Sequence, residues 1–117
     1  MITNFEEYTK ELTVEEMKLL PLLMSGFKKR TKENPVKAPE IIAGINKTGV
    51  AKITEPRLRK LCNFIRSKSI LPLIATSNGY YISYDPDEVS RQIQSLEERA
   101  SAIMESTKGL KKFLNQS

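Results

Sequence analysis

The sequence predicts a mainly α-helical protein with one small β-hairpin and a long, coiled-coil-like C-terminal helix. Three observations lead there. Apolar residues recur at helical spacing from Thr13 to Ile65, an extended pattern takes over between Leu73 and Tyr84, and apolar residues then recur alternately four and three apart from Val89 to Leu114.

Thr13 fits the N-cap of a first helix, and Glu16 three residues on completes the pattern of a capping box. Met17, Leu20, Met24 and Phe27, widened by Leu23, are expected to form its apolar stripe. Pro21 lacks the backbone donor that a helix interior uses, so a kink or break is expected near Leu20. The run Lys28-Lys29-Arg30-Thr31-Lys32 reads as a solvated helix end whose charge complements the carbonyl terminus. A short second helix starts around Pro39, carries Ile41, Ile42 and Ile45, and closes at Asn46 to Gly49.

The third helix is expected at Thr54 to Ser67, capped by Thr54, with Glu55 and Pro56 in its first turn. Leu58, Leu61, Cys62 and Ile65 lie at i, i+3, i+4 and i+7 and define its buried stripe. At about 100° per residue, Lys60, Asn63 and Ser67 fall opposite that stripe, with Arg59 and Arg66 on one flank and Arg57 on the other. After Pro72, Leu73-Ile74-Ala75-Thr76 and Tyr80 to Tyr84 flank Ser77-Asn78-Gly79, whose Asn-Gly pair signals a tight hairpin. Strand alternation puts Tyr80 and Tyr81 on opposite faces, with at least one of them in the core. Two strands alone are marginally stable, so the hairpin must pack on the helices.

Asp85-Pro86-Asp87 starts the last helix, expected to reach about Asn115. Val89, Ile93, Leu96, Ala100, Ile103, Leu110 and Leu114, with Thr107 completing the spacing, form a heptad stripe. Such a helix is roughly 45 Å long, whereas a domain of the preceding length is only about 25–30 Å across. Part of the stripe therefore needs cover, and a second copy of the chain is the economical source. Ala100, Thr107 and Gly109 make the pairing modest. The expected division is a domain at 1–85 and a dimerisation helix at 86–117.

Composition narrows the function. The 117 residues carry 19 Lys+Arg against 14 Asp+Glu, a formal +5, with no histidine and one cysteine. Histidine-based acid–base catalysis, disulfide frameworks and multi-cysteine zinc sites are thereby excluded. Cys62 on the apolar stripe reads as an inert core thiol. Gly44 to Gly49 has the outer spacing of a phosphate-binding loop, but Val50-Ala51 replaces the Lys and Ser/Thr that such a loop needs. No enzymatic activity, metal or cofactor is expected. No apolar run approaches the length of a membrane span, and MITNFEEYTK lacks the apolar region of a secretory signal, so a cytoplasmic location is expected and the Asn46-Lys47-Thr48 sequon carries no weight.

The charge is segregated: residues 1–20 carry −3, residues 21–72 carry +9, and residues 73–117 carry −1. A field concentrated in one segment is the electrostatic footprint expected for a phosphate backbone. Helix, helix, helix, hairpin is also the element order of a winged helix-turn-helix. The candidate DNA contacts are Arg57, Arg59, Lys60, Asn63, Arg66 and Ser67 on the third helix, Ser77 and Asn78 on the wing, and Lys47 and Lys52 beside them.

IIAGINK, ITEPRLRKLCNFIRSKSILPLIATSNGYYIS and LEERASAI resemble segments of small winged-helix DNA-binding proteins encoded in phage and prophage regions. The resemblance covers about residues 12–114. It implies major-groove contact by the helix bearing Arg57, Arg59, Lys60 and Asn63, and backbone contact by the wing at Ser77 to Gly79. Thr76-Ser77-Asn78-Gly79 departs from a basic wing, which argues against deep minor-groove insertion. The expectation is a non-enzymatic homodimer that binds double-stranded DNA. The alternative is a protein-interaction adaptor that uses the heptad helix and the basic face.

Overall fold

The structure, a computed structural model, describes residues 11–115. The opening segment through Lys10, on which the leader expectation rests, lies outside them. The elements in order are α1 (Val14–Lys28), α2 (Ala38–Thr48), α3 (Glu55–Ser67), β1 (Leu73–Thr76), β2 (Gly79–Ile82) and α4 (Pro86–Leu114). They form two units, divided between Tyr84 and Asp85. The chain is thus mainly helical, with a small antiparallel hairpin and a long C-terminal helix.

Helix α1 begins as its sequence dictates: Thr13 Oγ1 accepts from Glu16 N at 3.2 Å and Glu16 Oε1 accepts from Thr13 N at 2.9 Å. Of the kink or break expected near Leu20, the break does not occur: α1 runs unbroken through Pro21. Pro21 lies on the exposed side, as does Met17 at 62% exposure, so the carbonyl that loses its donor belongs to the side of α1 away from the core. The stripe is also rotated from the expected one. Leu19, Leu23 and Phe27 are buried, while Leu20 and Met24 pack at the margin.

These three join Val36, Ile41, Ile45, Ile53, Leu58, Leu61, Cys62, Ile65, Leu71 and Leu73 in one core. Fully burying each aliphatic side chain contributes about 1.5–3 kcal/mol, which is ample reason for the unbroken helix. Helix α2 ends at Gly49, whose φ of 71° lies in the left-handed region. Helix α3 is capped by Thr54, whose hydroxyl accepts from Arg57 N at 3.4 Å.

Asn46 fixes the connection between α2 and α3. Ile53 N donates to Asn46 Oδ1 at 2.9 Å, and Asn46 Nδ2 donates to Ile53 O at 3.4 Å. The side-chain amide thus satisfies both backbone groups of a residue buried to 1% exposure.

In the hairpin Thr76 pairs with Gly79, so Ser77-Asn78 form the two-residue turn and Gly79 opens β2. The loop expected at Ser77-Asn78-Gly79 is thus one residue shorter, and neither Ser77 nor Asn78 has a positive φ. Gly79, at φ 127°, is required for another reason: a Cβ there would lie 2.6 Å from Val36 O. The approach is close because Val36 bridges to β2, with Tyr80 N donating to Val36 O at 2.7 Å and Val36 N donating to Tyr80 O at 2.9 Å. Strand β2 is therefore central, with β1 on one side and a single bridge on the other.

In the C-terminal unit Asp85 caps α4 by accepting from Asp87 N at 2.9 Å. Among the described residues no helix is long and apolar enough to cross a membrane.

Candidate nucleic-acid interface

Helix α3 carries more buried surface than a one-sided helix would. Leu58, Leu61, Cys62 and Ile65 are buried as expected, and so is Lys60, at 7% exposure. The placement of Lys60 opposite the apolar stripe is thereby corrected. Lys60 Nζ donates to Glu16 Oε1 at 2.7 Å and to Glu11 O at 3.0 Å. The first turn of α1 meets this side of α3, and Glu16 reaches Lys60 there because Glu16 shares the buried face of Leu19, Leu23 and Phe27.

Arg57 joins the same carboxylate, its Nε donating to Glu16 Oε2 at 3.1 Å. Its Nη1 donates to Lys52 O at 2.8 Å and lies 3.5 Å from Glu15 Oε2. Burial opposes ionisation of Glu16, but hydrogen bonds from Lys60 and the Thr13 backbone, with the charges of Lys60 and Arg57, outweigh it and hold the carboxyl below its ordinary value. Part of the opposition between the acidic start and the basic middle of the chain is consequently a folding contact rather than an outward field.

Arg66 is half-buried and its Nε donates to Leu73 O at 2.9 Å, tying the end of α3 to the start of β1. Cys62 and Tyr80 lie close by. Burial pushes the Cys62 thiol up to about 12, against the opposing pull of the Arg66 charge and a hydrogen bond with Tyr80. Burial likewise raises the Tyr80 hydroxyl to about 12, and the Tyr80 ring packs on Phe27 with centroids 5.7 Å apart. Tyr81 is buried at 5% exposure and Tyr80 is half-buried, so both contribute to the interior as alternation required of at least one, whereas Tyr84 is 76% exposed.

Arg59, Asn63 and Ser67, at i, i+4 and i+8, remain as the accessible line of α3. The Arg59 side chain is 39% exposed, with Nη2 at 3.4 Å from Glu55 Oε1. Ser67 is exposed and Asn63 half-buried. Lys47 at the end of α2 and Lys52 in the turn before α3 are exposed, as are Ser77 and Asn78 at the hairpin tip. Lys68, which the sequence reading left out, extends beyond this line and stands 6.0 Å from the centre of the Phe64 ring. The expected set therefore divides: Arg57, Lys60 and Arg66 hold the fold together, Arg59 and Asn63 are half-buried, and Lys47, Lys52, Ser67, Ser77 and Asn78 are exposed.

On α4, Ile93 (50% exposed), Leu96 (37%), Ile103 (39%), Leu110 (69%) and Leu114 (78%) are open along the heptad stripe. Ala100 is exposed and Val89 half-buried. Met104 and Phe113 widen the open stripe. A cleft of about 500 Å³ separates α1 from α2, lined by Leu22, Phe27, Ile41 and Ile45 and rimmed by Lys29 and Arg30. No group of three or more side chains suited to hold a metal ion is found among the described residues. No protein-family model, curated protein or solved structure matches the chain.

Proposed function

We propose that the chain is a non-enzymatic, homodimeric winged helix-turn-helix protein that binds double-stranded DNA. The observation that carries this reading is the accessible line Arg59, Asn63 and Ser67 on α3, preceded by the exposed Lys47 and Lys52. An α-helix fits the major groove, where Arg suits guanine and Asn suits adenine, while lysines flanking the helix neutralise phosphates. The bridge from Val36 to Tyr80 supports the winged reading, because it joins the hairpin to the chain just before α2. The exposed stripe of α4 supports dimerisation, which sets two α3 helices on two half-sites.

The test is a mobility-shift titration of random and site-containing duplexes with the full chain and with Arg59→Ala/Asn63→Ala. The double variant is expected to keep its helical spectrum and lose at least about tenfold in affinity, since each base contact is worth about 1–3 kcal/mol. Affinity should fall with salt at a log–log slope of about −0.9 per phosphate neutralised. Unchanged binding by the variant overturns the proposed reading face. Absence of duplex binding would favour the adaptor, for which the same exposed α4 stripe is the supporting observation.

A further inference from the structure

We propose that α4 pairs with α4 of a second copy in the antiparallel sense, with Leu96 facing Leu114, Ala100 facing Leu110, and Ile103 facing Thr107 across the interface. The inference rests on the dimeric reading above and specifies its geometry.

Exposure selects the segment. Val89 at the start of the stripe is half-buried within its own chain, whereas Leu110, Phe113 and Leu114 are 69–78% exposed. The open surface thus runs from Ile93 onward and is widest at the C-terminal end of the helix. Its chemistry, apolar along one line and polar elsewhere, suits another helix of the same kind.

Side-chain size selects the direction. One edge of the stripe is Leu96, Ile103 and Leu110, and the other is Ala100, Thr107 and Leu114. In a parallel, in-register pair each residue faces itself, so Ala100 meets Ala100 and Thr107 meets Thr107, leaving two under-filled layers. Running the helices antiparallel sets each edge against the other. The small Ala100 then meets the large Leu110, and Thr107 meets Ile103, so every layer contains at least one large apolar side chain.

Flanking charge selects the same arrangement. Antiparallel pairing brings like flanks together, so Glu97 of each copy lies beside Lys111 of the other, twice across the interface. Arg99 lies beside the Phe113 ring on the opposite flank, also twice. Parallel pairing would set Arg99 against Met104 and Lys111 against Ser106, with no opposite charges adjacent. An antiparallel register shifted by one heptad sets Glu97 against Met104 and Arg99 against Ser106, and it loses both attractions. The Thr107 hydroxyl, which donates to Ile103 O at 3.2 Å in its own helix, carries its hydrogen bond with it into the interface.

Disulfide trapping in the full chain reads this geometry directly. Leu96→Cys and Leu114→Cys are prepared separately with tags of different mass, mixed, allowed to exchange subunits and oxidised gently; Cys62, buried at 2% exposure, stays out of the reaction. The expected result is a covalent dimer containing one chain of each kind, with neither variant cross-linking alone. In the proposed register two Leu96 positions are separated by about 27 Å along the axis. Cross-linking of Leu96→Cys with itself overturns the antiparallel direction, and cross-linking to Thr107→Cys overturns the register. Glu97→Lys is expected to weaken the dimer roughly fivefold, and adding Lys111→Glu to restore it; no restoration overturns the flank pairing. Sedimentation of the unaltered chain separates the levels. A monomer throughout the micromolar range removes the dimeric reading itself, whereas a dimer with the wrong cross-links removes only this arrangement.

Discussion

Lys60 of α3 donates to the Glu16 carboxylate of α1 at 2.7 Å, and both side chains are almost fully buried. Glu16 also accepts from Arg57 and from the Thr13 backbone, so its two oxygens serve three donors. Removing one member of a buried pair strands the other charge, which costs about 3–5 kcal/mol, whereas replacing both by apolar groups of similar size is often neutral. Arg57 still faces the carboxylate when Lys60 is removed, so Lys60→Met is expected to lower the unfolding free energy by about 1.5–3 kcal/mol in urea titrations. Lys60→Met combined with Glu16→Leu should cost less than the sum of the two single substitutions, since each alone leaves the other's buried charge behind. A Lys60→Met protein as stable as the parent would show that the pair carries no such weight. A charge reversal at Lys60 would report on folding, not on contact with nucleic acid.

The same carboxylate sets an acid limit. Its folded-state proton affinity is held below the ordinary carboxyl value of 4.5, so the protonated form is favoured in the unfolded chain. The stabilisation is complete above about pH 4.5 and is lost as pH falls through the lower folded value. The melting temperature should consequently drop between pH 5 and 3, and Glu16→Gln, though less stable near neutrality, should show a flatter profile over that interval. A variant with the parent's slope would assign the acid sensitivity to other groups.

Cys62 is buried and its thiol is pushed up to about 12, so almost no thiolate exists near pH 8. Reaction with an aromatic disulfide reagent should be negligible in the native protein and rapid in guanidinium. Its native-state rate should track the population of unfolded chain as denaturant rises. Rapid labelling without denaturant would contradict this inaccessibility.

Gly79→Ala adds a methyl group 2.6 Å from Val36 O at a backbone φ of 127°. Either the Val36–Tyr80 bridge opens or the hairpin shifts, at an expected cost of roughly 2–4 kcal/mol. Gly44→Ala is the control, because its Cβ meets nothing within 4 Å inside a helix. It should leave stability unchanged or raise it by about 0.5–1 kcal/mol. Equal melting temperatures for the two variants would refute the close contact.

Local chemistry made much of this fold legible. The Thr13 and Thr54 caps, the Leu58-Leu61-Cys62-Ile65 face, and the β-hairpin all follow from spacing and side-chain type within a few residues. What escaped was long-range. Phasing α1 on Met17 and Leu20 rather than on Leu19 hid the fact that Glu16 shares the buried face, and with it the reason why Lys60 turns inward. Arg57 and Arg66 looked like recognition residues because a helical wheel records direction and not the neighbour that arrives from elsewhere. Arg57 is met by the Glu16 carboxylate from α1 as well as by Lys52 O, and Arg66 by Leu73 O; the two carbonyls are backbone atoms, which leave no mark in side-chain patterns. Val36 was equally silent, since a single bridge needs only an N–H and a carbonyl. For α4 the regular spacing was plain, and the open apolar side chains follow it.

The amide of Asn46 closes a loop of only seven residues, whereas the Lys60–Glu16 contact spans forty-four. Chain entropy makes the first cheap to form and the second dear. Assembly should therefore begin with α2, its turn and α3 already stitched, and end when α1 docks its carboxylate. Asn46→Ala should chiefly slow refolding and Lys60→Met chiefly hasten unfolding in stopped-flow chevrons, the reverse partition being evidence for an α1-first route.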